Sequence, residues 1–138
     1  MKKILSVLML ICALSIALPS EVKAQVYTYK TTGYAHKEVN SQGNWNDWSD
    51  WLDSNMRVTI SYDDDIIVIY SPKKQIFRIT KHIRNYTDNS GGKQAEFAAV
   101  DQDGDRCHIR MRIETNGNSQ LYVEYSNLIL CWNVKRTN

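Results

Sequence analysis

Three tryptophans at a spacing of three residues, Trp45, Trp48 and Trp51, are the residues of this chain whose type and spacing best fit a binding chemistry. Aromatic rings with asparagine and aspartate between them are typical of sugar recognition, because the rings pack against apolar surface while the polar side chains bind hydroxyl groups. A β-strand alternates its faces every two residues, so a spacing of three does not line one face of a strand. Whether these rings can bind a sugar depends on the element that positions them.

An amphipathic helix is one answer. At about 100° per residue, the three rings and Leu52 fall on one side of a helix, and the polar residues between them fall on the other. Asn44 can cap the start of this helix. The pattern therefore favours a short helix that closes one end of the fold with its rings packed inward. The alternative is an exposed aromatic platform that binds a sugar. If the rings are buried, the sequence offers no visible binding site.

The run from Trp45 to Trp51 also resembles the WSxWSxW run of thrombospondin type 1 repeats, in which tryptophans interleave with arginines. The resemblance covers seven residues, and the several cysteines on which those repeats depend are absent. Arg110-Met111-Arg112 supplies alternate arginines. The resemblance implies that tryptophan and arginine planes stack, so Arg110 joins the three tryptophans as a candidate ligand-binding residue.

Residues 25–138 have the two-residue period of about eight strands. These strands are expected at residues 26–39, 56–62, 66–70, 75–86, 93–100, 106–114, 119–125 and 128–135. Short connections pair neighbouring strands antiparallel, and closing such a meander into a barrel removes its open edges. The predicted fold is all-β, a single domain forming a small calycin-like barrel, with a two-sheet sandwich as the alternative.

Two glycine turns predict the register of the later strands. A three-residue loop with Gly104 in the left-handed conformation, and a similar loop at Gly117, place one apolar face inward. The predicted pairs are Ala99 with Cys107, Phe97 with Ile109, Ala95 with Met111, Met111 with Leu121, Ile109 with Val123, Cys107 with Tyr125, Val123 with Leu130, and Leu121 with Trp132. Cys107 then points into the core while Cys131 lies on the opposite face beside Tyr122. Because a disulfide needs converging side chains, we expect two free thiols.

Residues 1–24 have the pattern of a secretory signal peptide. Lys2 and Lys3 precede an apolar run over residues 4–18, and cleavage is expected after Ala24. That run is shorter than the roughly 20 residues that span a bilayer, and no second run of its length follows. We therefore expect an exported protein, in the periplasm or outside the cell, without a transmembrane segment in the mature chain.

The charge of the mature chain excludes one class of partner. Removing Lys2, Lys3 and Lys23 from the 17 basic residues and Glu21 from the 15 acidic residues leaves 14 of each. A chain of zero formal charge lacks the basic field of a nucleic-acid-binding protein.

Basic residues alternate along two of the predicted strands. Arg106, His108, Arg110 and Arg112 share one face of a strand, and Arg78, His82 and Arg84 form a similar stripe. The predicted register places Arg110 opposite Glu96 and Tyr122, and places His108 opposite Glu124. The stripes are therefore interpreted as solvated cross-strand ion pairs rather than an anion site.

The sequence predicts no metal site, no cofactor and no catalytic residue. An EF-hand loop needs glycine at its sixth position and glutamate at its twelfth, whereas residues 101–112 have glycine at the fourth and arginine at the twelfth. Turn chemistry therefore explains the acidic clusters at 63–65 and 101–105. His36, His82 and His108 have no acidic or nucleophilic partner at a recognisable spacing. A small hydrolase using carboxylates brought together by folding stays as a minor alternative.

The segments WSDW, IVIYSP, VDQDGDRCHIR and QLYVEYSN together resemble a set of small exported β-proteins of anaerobic Gram-negative bacteria. The resemblance spans most of residues 25–138 and implies an exported β-domain without a known activity or site. The leading hypothesis is a non-enzymatic binding module for a small molecule, a glycan or a protein, which it meets near the tryptophans. The alternative is a structural or inhibitory partner of another cell-envelope protein.

Overall fold

The chain folds into a closed antiparallel β-barrel. The computed structural model describes residues 25–116 and 118–138, and these residues contain nine strands and no helix. The strands are β1 (Val26–Glu38), β2 (Leu52–Asp53), β3 (Arg57–Ser61), β4 (Ile66–Ile69), β5 (Gln75–Thr87), β6 (Lys93–Asp101), β7 (Arg106–Ile113), β8 (Ser119–Glu124) and β9 (Leu128–Arg136). The predicted signal peptide and Gly117 lie outside the described residues.

Eight of the strands form the barrel wall. From β3 to β9 each strand pairs with the next, and β1 closes the barrel by pairing with β3 along one edge and with β9 along the other. The ninth strand, β2, pairs with β1 outside this ring. The predicted all-β barrel is confirmed, and the sandwich alternative is not the observed fold.

The barrel interior is filled by side chains. Ile60, Ile69, Ile109 and Leu121 are fully buried members of one contiguous apolar cluster that lines the inner faces of the strands. This filling follows from the two-residue period of the sequence, which presents an apolar residue to the interior at every second position. A filled interior moves any binding site to the ends or the outer surface of the barrel.

The register predicted from the glycine turns is confirmed from β6 to β9. Gly104 has a φ of 86°, the left-handed conformation that glycine favours. The predicted pairs across these four strands are present except Cys107 with Tyr125, because β8 ends at Glu124. Cys131 pairs with Tyr122 on the outer face, while Cys107 lies in the interior core. Both thiols are free and buried.

The helix expected for the tryptophan segment is wrong. The tryptophan segment, residues 44–51, contains no helix and forms one isolated bridge, between Trp45 and Val39. The chain reverses just before it in a turn where the Asn40 side chain accepts hydrogen bonds from the amides of Gln42 and Asn44. Beyond Lys30, β3 no longer covers the edge of β1. The segment uses this open edge instead of a helix: the amides of Asn46 and Ser49 donate to the carbonyls of Glu38 and His36.

The hairpin of β5 and β6 is irregular where it extends past the barrel rim. β4 covers β5 only from Gln75 to Arg78, whereas β6 stays paired with β5 as far as Thr87. Two shifts of register, after Ile79 and after His82, interrupt the alternation of faces along β5. Bulges of this kind bend a strand and re-aim its side chains. The hairpin therefore forms one wall of an opening at this end of the barrel.

Candidate functional site

The tryptophan segment runs antiparallel to the second half of β1 and uses three residues for every two of the strand. The matched positions are Asn46 with Glu38, Ser49 with His36, and Leu52 with Tyr34. Each tryptophan directly precedes one of the matched residues. Because the matched residues recur every three positions of the segment, the spacing of three places each tryptophan at the same point relative to β1.

The three rings are exposed on the outside of the barrel. Trp45 and Trp48 are each 43% exposed, and Trp51 is 52% exposed. Trp48 packs edge-on against Tyr122 of β8, with ring centroids 6.4 Å apart. We call the surface formed by Trp45, Trp48, Trp51 and Tyr122 the tryptophan face. The expectation that the rings pack inward as a plug is corrected, because they lie on the opposite side of the wall from the core.

Arg110 lies at one border of the tryptophan face. Its guanidinium carbon is 4.0 Å from the centre of the Tyr122 ring, so Tyr122 stands between Arg110 and Trp48. At the other border, the Lys37 ammonium lies 5.8 Å from the centre of the Trp48 ring. Arg110 therefore stacks on Tyr122 rather than on a tryptophan. The cation that lies over a tryptophan ring is Lys37, which the sequence did not single out.

A small cavity of about 230 Å³ opens within the tryptophan face. Trp48, Trp51 and Tyr122 form its walls, and the short side chains of Ala35 and Cys131 form its floor. Burial is the main cause that raises the pKa of Tyr122 to about 12, so its hydroxyl is neutral at physiological pH.

A glycine allows Trp51 to approach the barrel wall. A Cβ atom at Gly33 would lie 3.3 Å from Cε3 of Trp51 and 3.2 Å from Nδ2 of Asn133. Either contact is tight, so a larger residue at this position would displace the ring. The absence of a side chain at Gly33 thus helps to set the position of one cavity wall.

The basic stripe on β7 forms a network of ion pairs with its neighbours. His108 Nδ1 lies 2.7 Å from Glu124 Oε1, and Arg84 Nε donates to Glu96 Oε2 at 3.0 Å. Arg110 faces Glu96 in the register, but its nearest carboxylate oxygen, 3.7 Å away, belongs to Glu124. The interpretation of the stripe on β7 as cross-strand ion pairs is confirmed for His108 and Arg110. Arg112 pairs instead with Asp88 and Glu114, and Arg106 forms no ion pair within residues 25–116 and 118–138.

A second opening, which the sequence did not reveal, lies at the end of the barrel beside the β5–β6 hairpin. It is a cleft of about 600 Å³, which we call the mouth cleft. Its lining residues are Tyr62, His82, Asn85, Tyr86, Thr87, Lys93, Gln94, Ala95, Phe97, Met111 and Ile113. Phe97 and Met111 belong to the buried core and give the cleft an apolar floor. Lys93 lines its rim and is exposed.

Two aromatic contacts order one side of the mouth cleft. The His82 ring meets Phe97 edge-on at a centroid distance of 5.1 Å, and the Tyr62 ring lies 5.8 Å from that of Phe97. His82 Nε2 is 2.9 Å from Asp65 Oδ1, which fixes the orientation of the imidazole. Burial is the main cause that raises the pKa of Tyr62 to about 12, so Tyr62 offers a neutral hydroxyl to the cleft.

The sequence does not reveal the mouth cleft, because an uninterrupted period of two along β5 places Arg78, His82 and Arg84 on one face. In the structure Arg78 and Arg84 point outward, whereas His82 pairs with Phe97 and points inward. The stripe expected on β5 is therefore wrong. Lys81 was the available signal, because an uninterrupted alternation puts this charged residue on the same inward face as Phe77 and Ile79.

Other kinds of site are not found in the parts of the chain described above. Over residues 25–116 and 118–138, no group of three histidine, cysteine, aspartate or glutamate side chains is placed to hold a metal ion. The same residues contain no helix that is long and apolar enough to cross a membrane. Searches of protein-family models, curated proteins and solved structures found no match to this chain.

Proposed function

We propose that this protein is an exported, non-enzymatic binding protein that holds a small amphipathic molecule in the mouth cleft. The observation that carries the proposal is the contrast between a filled barrel and an open end. Side chains fill the interior elsewhere, whereas the irregular β5–β6 hairpin leaves about 600 Å³ above Phe97 and Met111. A concave apolar site with a few polar groups at its rim is the usual form of a small-molecule site.

The lining supports a ligand with an apolar body and an acidic group. Ala95, Phe97 and Met111 offer apolar surface to the body of such a molecule. Lys93 supplies a positive charge at the rim, and the described lining contains no aspartate or glutamate. A carboxylate would therefore meet an opposite charge and no like charge within the lining. The same lining does not supply the pair of carboxylates that the hydrolase alternative requires.

A matched pair of alanine substitutions tests the site. Ala95 faces the cleft, whereas Ala98 lies three residues along the same strand and pairs with Lys81 and His108 on the outer face. We expect the full chain to bind the fluorescent anion anilinonaphthalene sulfonate, and dodecanoate to displace it. Ala95→Phe fills the cleft and weakens dodecanoate binding by roughly tenfold or more, about 1.4 kcal/mol. Ala98→Phe leaves the affinity unchanged.

Lys93→Gln tests the charge at the rim separately from the shape of the cleft. We expect this variant to bind dodecanoate more weakly while its affinity for dodecanol stays the same, because only the acid uses the ammonium group. If the Ala95→Phe and Ala98→Phe proteins bound dodecanoate with equal affinity, and dodecanol with equal affinity, the mouth cleft would not be the binding site.

A further inference from the structure

The tryptophan face has no role in the proposed function, because it lies on the outer wall of the barrel and the mouth cleft opens at one end. We infer that it is a second binding site, and that it takes a ring of a neutral saccharide in the cavity between Trp48, Trp51 and Tyr122. Four properties of this face support the inference: its exposure, its rigidity, the shape of its cavity and its charge.

Exposure is the first observation. Four of the large apolar side chains that remain solvent-exposed follow one another within eight residues, namely Trp45, Trp48, Trp51 and Leu52. A folded chain gains free energy by burying such side chains, and a contiguous patch of them on a surface marks a site of interaction. Their exposure here does not result from a poorly packed barrel, since Trp132 of β9 is buried in the core.

Rigidity is the second observation. The segment is tied to β1 on both sides of Trp48, through the amide of Asn46 at Glu38 and the amide of Ser49 at His36. The turn that precedes it is closed by the Asn40 side chain. A site whose backbone is already ordered loses little conformational entropy when it binds a ligand. The rings are therefore preorganised rather than carried on a free loop.

The shape of the cavity matches a ring rather than a chain. Aromatic side chains form the walls, and Ala35 and Cys131 are short enough to leave a floor on which a six-membered ring can rest. A pyranose presents axial C–H groups to an aromatic face and hydroxyl groups around its edge. Asn46, Asp47 and Asp50 are exposed beside the rings and can accept or donate hydrogen bonds at that edge.

Charge selects a neutral ligand. The Lys37 ammonium lies over Trp48 and the Arg110 guanidinium lies over Tyr122, so a cationic ligand would meet two positive charges at the ring faces it needs. An anionic ligand would meet these cations but also the exposed carboxylates of Asp47 and Asp50, which stand next to the rings in the chain. A neutral saccharide avoids both conflicts and uses these charged groups as hydrogen-bond partners.

The test is a titration of the full chain with neutral sugars, followed through the indole N–H signals in nitrogen-15 NMR spectra. The panel contains glucose, galactose, mannose and N-acetylglucosamine with their short oligomers, each to millimolar concentration. We expect at least one sugar to shift the signals of Trp48 and Trp51 in a saturable way. The signal of the buried Trp132 stays in place and serves as the internal control.

Variants separate this site from the mouth cleft and from misfolding. We expect Trp48→Ala and Trp51→Ala each to abolish saturable sugar binding while the Trp132 signal keeps its position. Trp132→Phe and Ala95→Phe, which change the core and the mouth cleft, keep sugar affinity within a factor of about two. No shift with any sugar, or shifts with tetramethylammonium alone, would overturn the inference and leave the mouth cleft untouched.

Discussion

Ser49 and His36 form two reciprocal hydrogen bonds across the edge of the barrel. The amide of Ser49 donates to the carbonyl of His36 at 2.8 Å, and the amide of His36 donates to the Ser49 hydroxyl at 2.9 Å. Ser49 lies between Trp48 and Trp51, so this pair anchors the tryptophan face at its centre. A serine side chain here replaces the carbonyl that a regular partner strand would present to β1.

Ser49→Ala removes the acceptor for the His36 amide but keeps the backbone bond. A net contribution of about 1 kcal/mol for such a bond predicts roughly fivefold faster hydrogen exchange at the His36 amide. Exchange measured by NMR on the full chain checks this expectation. Ser41→Ala, in the exposed turn before the tryptophans, is the matched control and leaves the His36 rate unchanged. Equal rates in the two variants would show that the hydroxyl does not hold the segment.

The register of the last four strands follows from local chemistry, and for that reason it was predictable. Gly104 needs a left-handed conformation in a loop of three residues, and this length alone decides whether Phe97 faces the core or the solvent. Each later pair then follows by counting, including the placement of Cys131 beside Tyr122. Sequence reasoning succeeds here because neighbouring strands are also neighbours in the chain.

The two openings were hidden for different physical reasons. His82 points into the mouth cleft because β5 is bulged, and a bulge adds a residue without leaving a glycine or proline to mark it. The exposure of Trp51 depends on a long-range fact, which is that β3 leaves the edge of β1 after Lys30. The spacing of the tryptophans does fit one side of a helix, but pairing with the free edge of β1 overrides this local preference.

The pairing of Arg84 with Glu96 makes stability depend on pH. The hydrogen bonds from the Arg84 guanidinium are the main cause that lowers the pKa of Glu96 below its usual value of 4.5, and burial acts in the opposite direction. A lowered pKa in the folded state contributes stability above pH 4.5, and this contribution is lost as the pH falls through the folded value. Arg84 is exposed, so the effect on the free energy of unfolding is modest.

Arg84→Ala therefore destabilises the protein more at pH 7 than at pH 3. The measurement is the free energy of unfolding in urea at both values for the wild type and the variant. Arg78→Ala is the matched control, since Arg78 also faces outward on β5 but forms no ion pair within the described residues. Its effect is the same at both pH values. If the Arg84→Ala difference were also independent of pH, the ion pair would have no part in the stability of the fold.

The two cysteines report separately on the core and on the tryptophan face. Burial is the main cause that raises the pKa of Cys107 to about 12 and that of Cys131 to about 11, so both react slowly with iodoacetamide in the native protein. Cys131 lies beneath Trp48 and Trp51, whereas Cys107 is inside the barrel. Replacing both tryptophans by alanine should speed alkylation of Cys131 severalfold and leave Cys107 as slow as before, as measured by mass spectrometry of the labelled peptides. Equal acceleration at both thiols would mean that the tryptophans stabilise the whole barrel rather than cover one patch of its outer wall.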